Sequence, residues 1–396
     1  MKLSFAYDVT IEHDIEQDEY YHNYFDYTVW NRYLRIFESI NVISRIKHVS
    51  KEERKNSKKS SGSFVSFQEI PSLSNPIKKF TKRKEAYHLI RKSLERSDAL
   101  IVRLPSEIGS LAVEVAEEMR IPWAAEVVGH AWDALWNYGN LQGKIYAPVM
   151  TLKTKFLVKK SPYVLYVTKE FLQKHYPTNG RSINCSNVEI PVFSEELILD
   201  KINEIKDKPA DVIKIGLIGS MASKYKGIDV ALRALGRIKL AFSFEFRVLG
   251  EGSSEEWRRL SVKLGIQDKV SFYQPVPSGE AVFSWLDELD LYIQPSFQEG
   301  LPRALIEAMS RGLPAIGSNA GGIPELLSPE CIFRAGDDEN LAKLMLRMQS
   351  NQQWREAEGR KNISVALQYT NQLLNIRRTA FWEEFKEYSK NYKKVL

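Results

Sequence analysis

Gln294 to Glu325 reads QPSFQEGLPRALIEAMSRGLPAIGSNAGGIPE, and the reading of this stretch decides the fold. The apolar residues Leu291 to Gln294 form a short strand that ends at Pro295, and a loop follows. A helix is expected from about Pro302, because proline suits a first helical position whose N–H would have no partner. Helical spacing holds over Ala304 to Met309, and Pro314 to Gly317 is the next strand. Strand, helix and strand at this pace describe one unit of a parallel, doubly wound α/β domain.

The same alternation extends in both directions. Ile213 to Gly219 is a continuous apolar run, as suits a strand buried on both faces. Phe244 to Leu249, Val270 to Tyr273 and Ile332 to Phe333 add strands, and Ile228 to Ile238 and Ala281 to Leu286 add helices. Ser253 with Glu256 has the spacing of a capping box for a helix running to Leu264. The N-terminal half repeats the rhythm more loosely. Its strands are expected at Leu3 to Tyr7, Val42 to Ile46, Phe64 to Phe67, Ala99 to Leu104, Ala124 to Val128 and Tyr163 to Val167. Helical patterns fall at Tyr33 to Ile40, Glu85 to Leu94, Leu111 to Met119 and Thr151 to Lys159. The expected division is a Rossmann-like domain over 1–190, a linker over 191–209, a second Rossmann-like domain over 210–370 and a helix over 371–396. That helix carries Phe381, Trp382 and Phe385 and is expected to pack back on the N-terminal domain.

The chain has 396 residues, enough for two domains of ordinary size. Its two cysteines, Cys185 and Cys331, suggest neither a disulfide framework nor a metal site, and a reducing cytoplasm is the expected location. Met1 to Tyr7 reads as a buried strand and not as a signal peptide. No apolar run approaches the roughly 20 residues that span a bilayer. The net charge is +6, with basic residues clustered in the N-terminal half. The clusters are Lys51, Arg54, Lys55, Lys58 and Lys59; Lys78, Lys79, Lys82, Arg83 and Lys84; and Lys153, Lys155, Lys159 and Lys160. They are either solvated faces or a surface that meets anionic lipid or an anionic acceptor. No nucleic-acid-binding motif accompanies them.

The chemistry concentrates around the opening stretch. A helix start at the mouth of a parallel sheet presents backbone N–H groups and a positive dipole end, a site suited to a diphosphate. Gly300 allows close approach of a ligand there, and Leu301 is its neighbour on the expected donor-binding loop. Glu299 lies before the helix and Glu307 within it, with seven residues between them. One carboxylate can face the sugar and the other the ribose of a bound nucleotide, each accepting from hydroxyls. Gly219, Ser220, Lys226 and Gly227 follow the first strand of the same domain, where Lys226 can reach phosphates and Ser220 can donate to them. Gly321 and Gly322 leave bare backbone nearby. Arg103, before Pro105, is either an ion-pair partner or a ligand contact. No Asp-x-Asp sequence is present, so neither a metal nor a cofactor is expected.

Together these residues resemble the family 4 retaining glycosyltransferases of the GT-B fold, over about Ile213 to Glu325. The resemblance rests on the two glutamates, the Lys226-Gly227 pair, the Asp290 to Ser296 strand and the glycine pair before Pro324-Glu325. It implies two Rossmann-like domains facing each other across a cleft, and transfer of a sugar from a nucleotide-sugar with retained anomeric configuration. Glu299 inherits contact with the transferred sugar, Glu307 with the ribose and Lys226 with the phosphates. The acceptor would be a saccharide or lipid-linked saccharide of a bacterial surface polysaccharide, used at the inner face of the membrane. Where the family commonly has an arginine this chain has Ser220, which leaves Lys224 or an N-domain residue to compensate. His130 ends a strand where the family often carries a histidine facing the donor sugar. Trp132, Asp133 and Trp136 follow in an aromatic segment able to stack on a saccharide. Asp8, His13, Tyr20 and Tyr21 stand in place of the family's glycine-rich first loop, with the tyrosines on the expected acceptor side. Two other readings are a GT-B protein that binds a nucleotide-sugar without catalysis, and a nicotinamide dehydrogenase. The second lacks the spaced glycines of a dinucleotide fingerprint after Gly219.

Overall fold

The computed structural model describes residues 1–396 apart from 52, 55–56, 74–75, 138–140, 194–211 and 395–396. The chain divides into two compact units. Unit 1 comprises Met1–Leu135, Leu141–Cys185 and Asn375–Leu396, and unit 2 comprises Trp136–Asn140 and Ser186–Leu374. The linker expected over Pro191 to Pro209 lies outside the described residues from 194 onward.

Unit 1 contains β1 (Lys2–Asp14), β2 (Glu19–Tyr21), β3 (Ser39–Val49), β4 (Val65–Glu69), β5 (Ala99–Leu104), β6 (Trp123–Val127), β7 (Tyr163–Tyr166) and β8 (Arg181–Asn184). The order is β4-β3-β1-β5-β6-β7-β8, parallel throughout, with β2 antiparallel to β1. Its helices are α1 (Tyr27–Leu34), α2 (Pro76–Leu94), α3 (Glu107–Glu118), α4 (Ala131–Asn137), α5 (Leu141–Lys160) and α6 (Phe171–His175). All six residues of β5 are buried, as required of a central strand covered on both faces. The last helix, Asn371–Lys394, buries Phe381, Trp382 and Phe385. Trp382 meets Tyr33 at 6.3 Å between ring centroids, and Phe381 meets Tyr163 at 5.6 Å.

Three local expectations needed correction. The helix expected over Tyr33 to Ile40 lies earlier, because Asp26 accepts from Thr28 N at 3.1 Å and fixes its start at Tyr27. Ser39 and Ile40 instead open β3. β1 continues past Tyr7 to Asp14 through an irregularity between Ala6 and Thr10. β8 was not expected, since its sequence RSIN is polar and mostly exposed, without the apolar pattern that marks a strand.

Unit 2 contains β9 (Ile213–Ile218), β10 (Phe244–Leu249), β11 (Val270–Tyr273), β12 (Leu291–Gln294), β13 (Ala315–Ser318) and β14 (Ile332–Phe333). They form a parallel sheet in the order β11-β10-β9-β12-β13-β14. The helices are α7 (Ile228–Arg237), α8 (Glu255–Leu264), α9 (Glu280–Asp287), α10 (Arg303–Ser310), α11 (Asp338–Ser350) and α12 (Gln352–Ala366). From β9 the chain winds outward to β11, then returns to β12 on the other side of β9. Such a reversal is a topological switch point, and it sets the loops after β9 and β12 side by side at the carboxyl ends of the strands. The capping box does not form. Ser254 occupies the cap of α8, and Ser253 Oγ accepts from Glu255 N at 3.3 Å. Glu256 instead pairs with Lys224 at 2.7 Å.

Candidate active site

Three loops converge beyond the switch point of unit 2, and glycines let them approach. Phe297 N donates to Tyr225 O at 2.7 Å, joining the loop after β12 to the loop after β9. Gly227 has φ +70°, and a Cβ there would lie 2.0 Å from Pro295 O. No side chain fits that position. Gly322 N donates to Gly300 O at 2.8 Å, bringing in the loop after β13. Gly321, at φ +56°, would place a Cβ 1.9 Å from Glu299 O.

At this junction Lys226 and Glu299 form an ion pair of 2.7 Å, with side chains 17% and 10% exposed. Glu299 Oε1 accepts from Lys226 Nζ, from Ser296 Oγ at 2.8 Å and from Gln294 Nε2 at 3.0 Å. Gln294 Oε1 in turn accepts from Tyr292 OH at 2.8 Å. Ser318 Oγ donates to Ser296 O at 2.5 Å, fixing the segment that carries Ser296. The two residues assigned to sugar and phosphate are therefore brought together. Gln294 and Ser296, which orient the carboxylate, were missed as site residues. Their signal was polarity at the end of a strand whose other residues are apolar: both are buried, at 1% and 0% exposure.

Glu307 projects from α10, which begins one residue later than expected, with Pro302 at the cap and not at the first helical position. No side chain caps this helix start, so its dipole end is not answered by a local acid. The Glu307 side chain is 9% exposed and lies 4.0 Å from Arg303. Burial pushes its carboxyl up to about 7, against the pull of the Arg303 charge. Gly300 and Leu301 are partly exposed on the loop before α10. Ser220 Oγ accepts from Ala222 N at 3.3 Å within its own turn. Lys224, named to compensate for the missing arginine, is mostly exposed and turned to Glu256.

Unit 1 holds the remaining residues except Trp136, at the end of α4, which falls in unit 2. His130 follows β6, with Nδ1 2.9 Å from Asp133 Oδ2, a contact poorly aligned for a hydrogen bond. Its ring packs against His175 and Phe171 at 4.3 and 5.7 Å between centroids. Trp132 and Trp136 are 38% and 44% exposed on α4. Tyr20 is stacked between His13 and Phe67, at 4.3 and 4.1 Å. Tyr21 is buried, and its hydroxyl donates to Glu19 at 2.5 Å. Arg103 resolves as an ion-pair partner: its Nη2 lies 2.9 Å from Glu126 Oε2, both side chains being buried. Asp8 has a structural role that residue type alone did not disclose. Its Oδ2 accepts from Glu107 N at 2.5 Å and Ile108 N at 3.1 Å, so a carboxylate of the chain itself occupies the N-terminus of α3. The anion position at the mouth of this sheet is thereby filled from within.

The Glycosyl transferases group 1 profile matches residues 213–351, the span that builds the Lys226–Glu299 junction. Protein CapJ of Staphylococcus aureus is 35% identical over 370 residues, covering 92% of this chain and 91% of that protein. The amylovoran biosynthesis glycosyltransferase AmsK of Erwinia amylovora is 30% identical over 179 residues, 42% of this chain and 44% of its own length. Among solved structures, Anabaena HepE in complex with UDP superposes with a TM-score of 0.67 at 14% identity, covering 97% of this chain and all of that one. This last likeness is one of fold, the two-domain α/β GT-B architecture. With a near-full-length relative and a profile lying over the loops that meet at the switch point, the chain belongs to the group 1 glycosyltransferases.

Proposed function

We propose that the protein transfers a sugar from a nucleoside-diphosphate sugar to a saccharide or lipid-linked saccharide acceptor, with retention of configuration, in bacterial surface polysaccharide synthesis. The observation that carries this reading is the Lys226–Glu299 pair at the switch-point strand ends, beside a helix start that no side chain caps. AmsK is named for amylovoran biosynthesis and HepE was solved with UDP, and both support the reading.

On this reading Lys226 exchanges Glu299 for the diphosphate, whose charge grows as the sugar leaves. The backbone around Gly300 and Leu301 and the positive end of α10 meet the same charge, with the Ser220 hydroxyl as a neutral donor. This is preorganised electrostatic stabilisation of a leaving group and calls on no metal or cofactor. Glu299, still held by Gln294 and Ser296, accepts from a hydroxyl of the transferred sugar. Glu307 accepts from the ribose. The protein works in the cytoplasm, at the inner face of the membrane.

The test is a panel of nucleotide-sugars covering several bases and sugars, read by thermal shift and by release of nucleoside diphosphate. At least one donor should raise the unfolding temperature and be turned over, and Lys226→Ala should shrink the stabilisation and lower turnover about a hundredfold. If no member binds at millimolar concentration, the reading fails. The anomeric configuration of the first product, read by NMR, tests retention separately.

A further inference from the structure

The twenty-residue helix α5, LQGKIYAPVMTLKTKFLVKK, is apolar on two opposite sides. Ala147, Met150, Leu157 and Val158 are buried, and the last two join the core of unit 1. Leu141, Ile145, Val149, Leu152 and Phe156 are exposed by 52% to 74%. Their spacing of i, i+4, i+8, i+11 and i+15 aligns them in one stripe. At about 100° per residue, the stripe is centred roughly opposite the buried set. A helix that buries one apolar face ordinarily shows water a polar one. This helix does not.

The charge along α5 selects what meets the stripe. Its sequence holds lysines at 144, 153, 155, 159 and 160 and no acidic residue. Lys155 and Lys159 are exposed along one border of the stripe. Lys160 stands on the other border, 5.2 Å from the Phe156 ring centroid and paired with Glu117 at 2.7 Å. A second copy docking through the same face about a two-fold axis would set lysines against lysines. An anionic bilayer offers apolar depth under the stripe and negative headgroups at the level of the lysines. No helix among the described residues is long and apolar enough to cross a membrane, so contact through α5 is interfacial.

We infer that α5 is a membrane-contact helix, which lies in the surface of an anionic bilayer with Leu141, Ile145, Val149, Leu152 and Phe156 inserted. The inference deepens the proposed function by placing the enzyme where a lipid-linked acceptor resides. It also assigns a surface to one of the three basic clusters, in which Lys153 pairs with Glu107 and Lys160 with Glu117, while Lys155 and Lys159 stand exposed beside the stripe.

The test is flotation of the full chain with phosphatidylcholine vesicles, with and without phosphatidylglycerol, at low and high salt. The protein should float with the anionic vesicles and be released by salt. Each lysine near the surface is worth about fivefold in partitioning, so Lys155→Glu with Lys159→Glu should weaken binding at least about twenty-five-fold. Leu152→Glu with Phe156→Glu should abolish it at an unchanged melting temperature, because both positions are exposed. Phe156→Trp supplies a readout that needs no destabilising change: its emission should shift to the blue with anionic vesicles alone. The inference is overturned if wild type ignores anionic vesicles, if Phe156→Trp emission does not move, or if the stripe variants instead break up a dimer in solution. Donor turnover measured without vesicles on the same preparations reads the glycosyltransferase site independently.

Discussion

Glu307→Gln is the perturbation whose size the structure constrains best. The carboxyl is 9% exposed, and burial moves it from its ordinary 4.5 to about 7. The sign follows from linkage. Below about pH 4.5 both folded and unfolded chains hold the proton, and the group costs nothing. Between about 4.5 and 7 the unfolded chain ionises first, so stability falls as pH rises. Above about 7 the whole cost remains. At 1.36 kcal/mol for each tenfold change in proton affinity, the cost is about 3 kcal/mol. Glutamine has no proton to lose. Glu307→Gln should therefore match wild type near pH 4 and exceed it by about 2–3 kcal/mol at pH 8, measured by urea unfolding. The same change should weaken donor binding, because a charge-assisted acceptor of ribose hydroxyls is worth roughly 1.5–3 kcal/mol. In kinetics the Michaelis constant for donor should rise more than turnover falls. Wild-type affinity for nucleoside diphosphate should also increase from pH 6 to pH 8, as hydroxyl donors draw the carboxyl into its charged form. A stability difference that is the same at both pH values would refute the burial argument. Tighter donor binding by the variant would refute the ribose assignment.

Three further substitutions test the junction itself. Lys226→Ala should lower donor turnover about a hundredfold, while Glu299→Gln lowers turnover more than donor affinity. In a double-mutant cycle on melting temperature, Glu299→Gln should recover part of the stability lost in Lys226→Ala, and strict additivity would mean that the pair is not coupled in solution. Gly227→Ala adds a Cβ 2.0 Å from Pro295 O at φ +70°, so it should cost more than about 2 kcal/mol in urea unfolding. A neutral Gly227→Ala would mean that the two loops are not locked together.

The parallel strands of unit 2 were legible because their signals are local. An apolar run such as Ile213–Ile218, closed by glycine and followed by helical spacing, has few alternatives. That Lys226 and Glu299 meet follows for a related reason, since they sit in loops that a doubly wound topology sets side by side, while Glu307 lies within the helix that follows the second of them. What stayed hidden depends on side-chain direction. Asp8 could be seen as a departure from a glycine-rich loop, but its capping of α3 joins residues about a hundred positions apart. Tyr20 and Tyr21 have the composition of a saccharide platform, while stacking and burial decide how much of each ring is presented. The two apolar faces of α5 cancel in any test for a single amphipathic stripe. Only the burial of one face separates core from surface.

The pairing of Lys226 with Glu299 gives the proposed chemistry an energetic logic. A lysine with 17% of its side chain exposed would be costly to hold without a counter-charge, and Glu299 supplies one. A diphosphate carries more charge than one carboxylate and also meets the positive end of α10, so it competes for Lys226 on favourable terms. The exchange does not strand the carboxylate. Gln294 and Ser296 still donate to Glu299 Oε1, at 3.0 and 2.8 Å, and hold it in position when the lysine turns away. Gln294→Ala and Ser296→Ala should accordingly leave nucleoside diphosphate affinity within about threefold of wild type, since neither touches the phosphates on this scheme. Turnover should fall at least about tenfold, because Glu299 would then be oriented by one neutral donor. A steady-state comparison of KM and kcat for the two variants decides the matter. If their loss lies in donor affinity with turnover intact, Gln294 and Ser296 serve the phosphate side, and the division of labour between Lys226 and Glu299 is wrong.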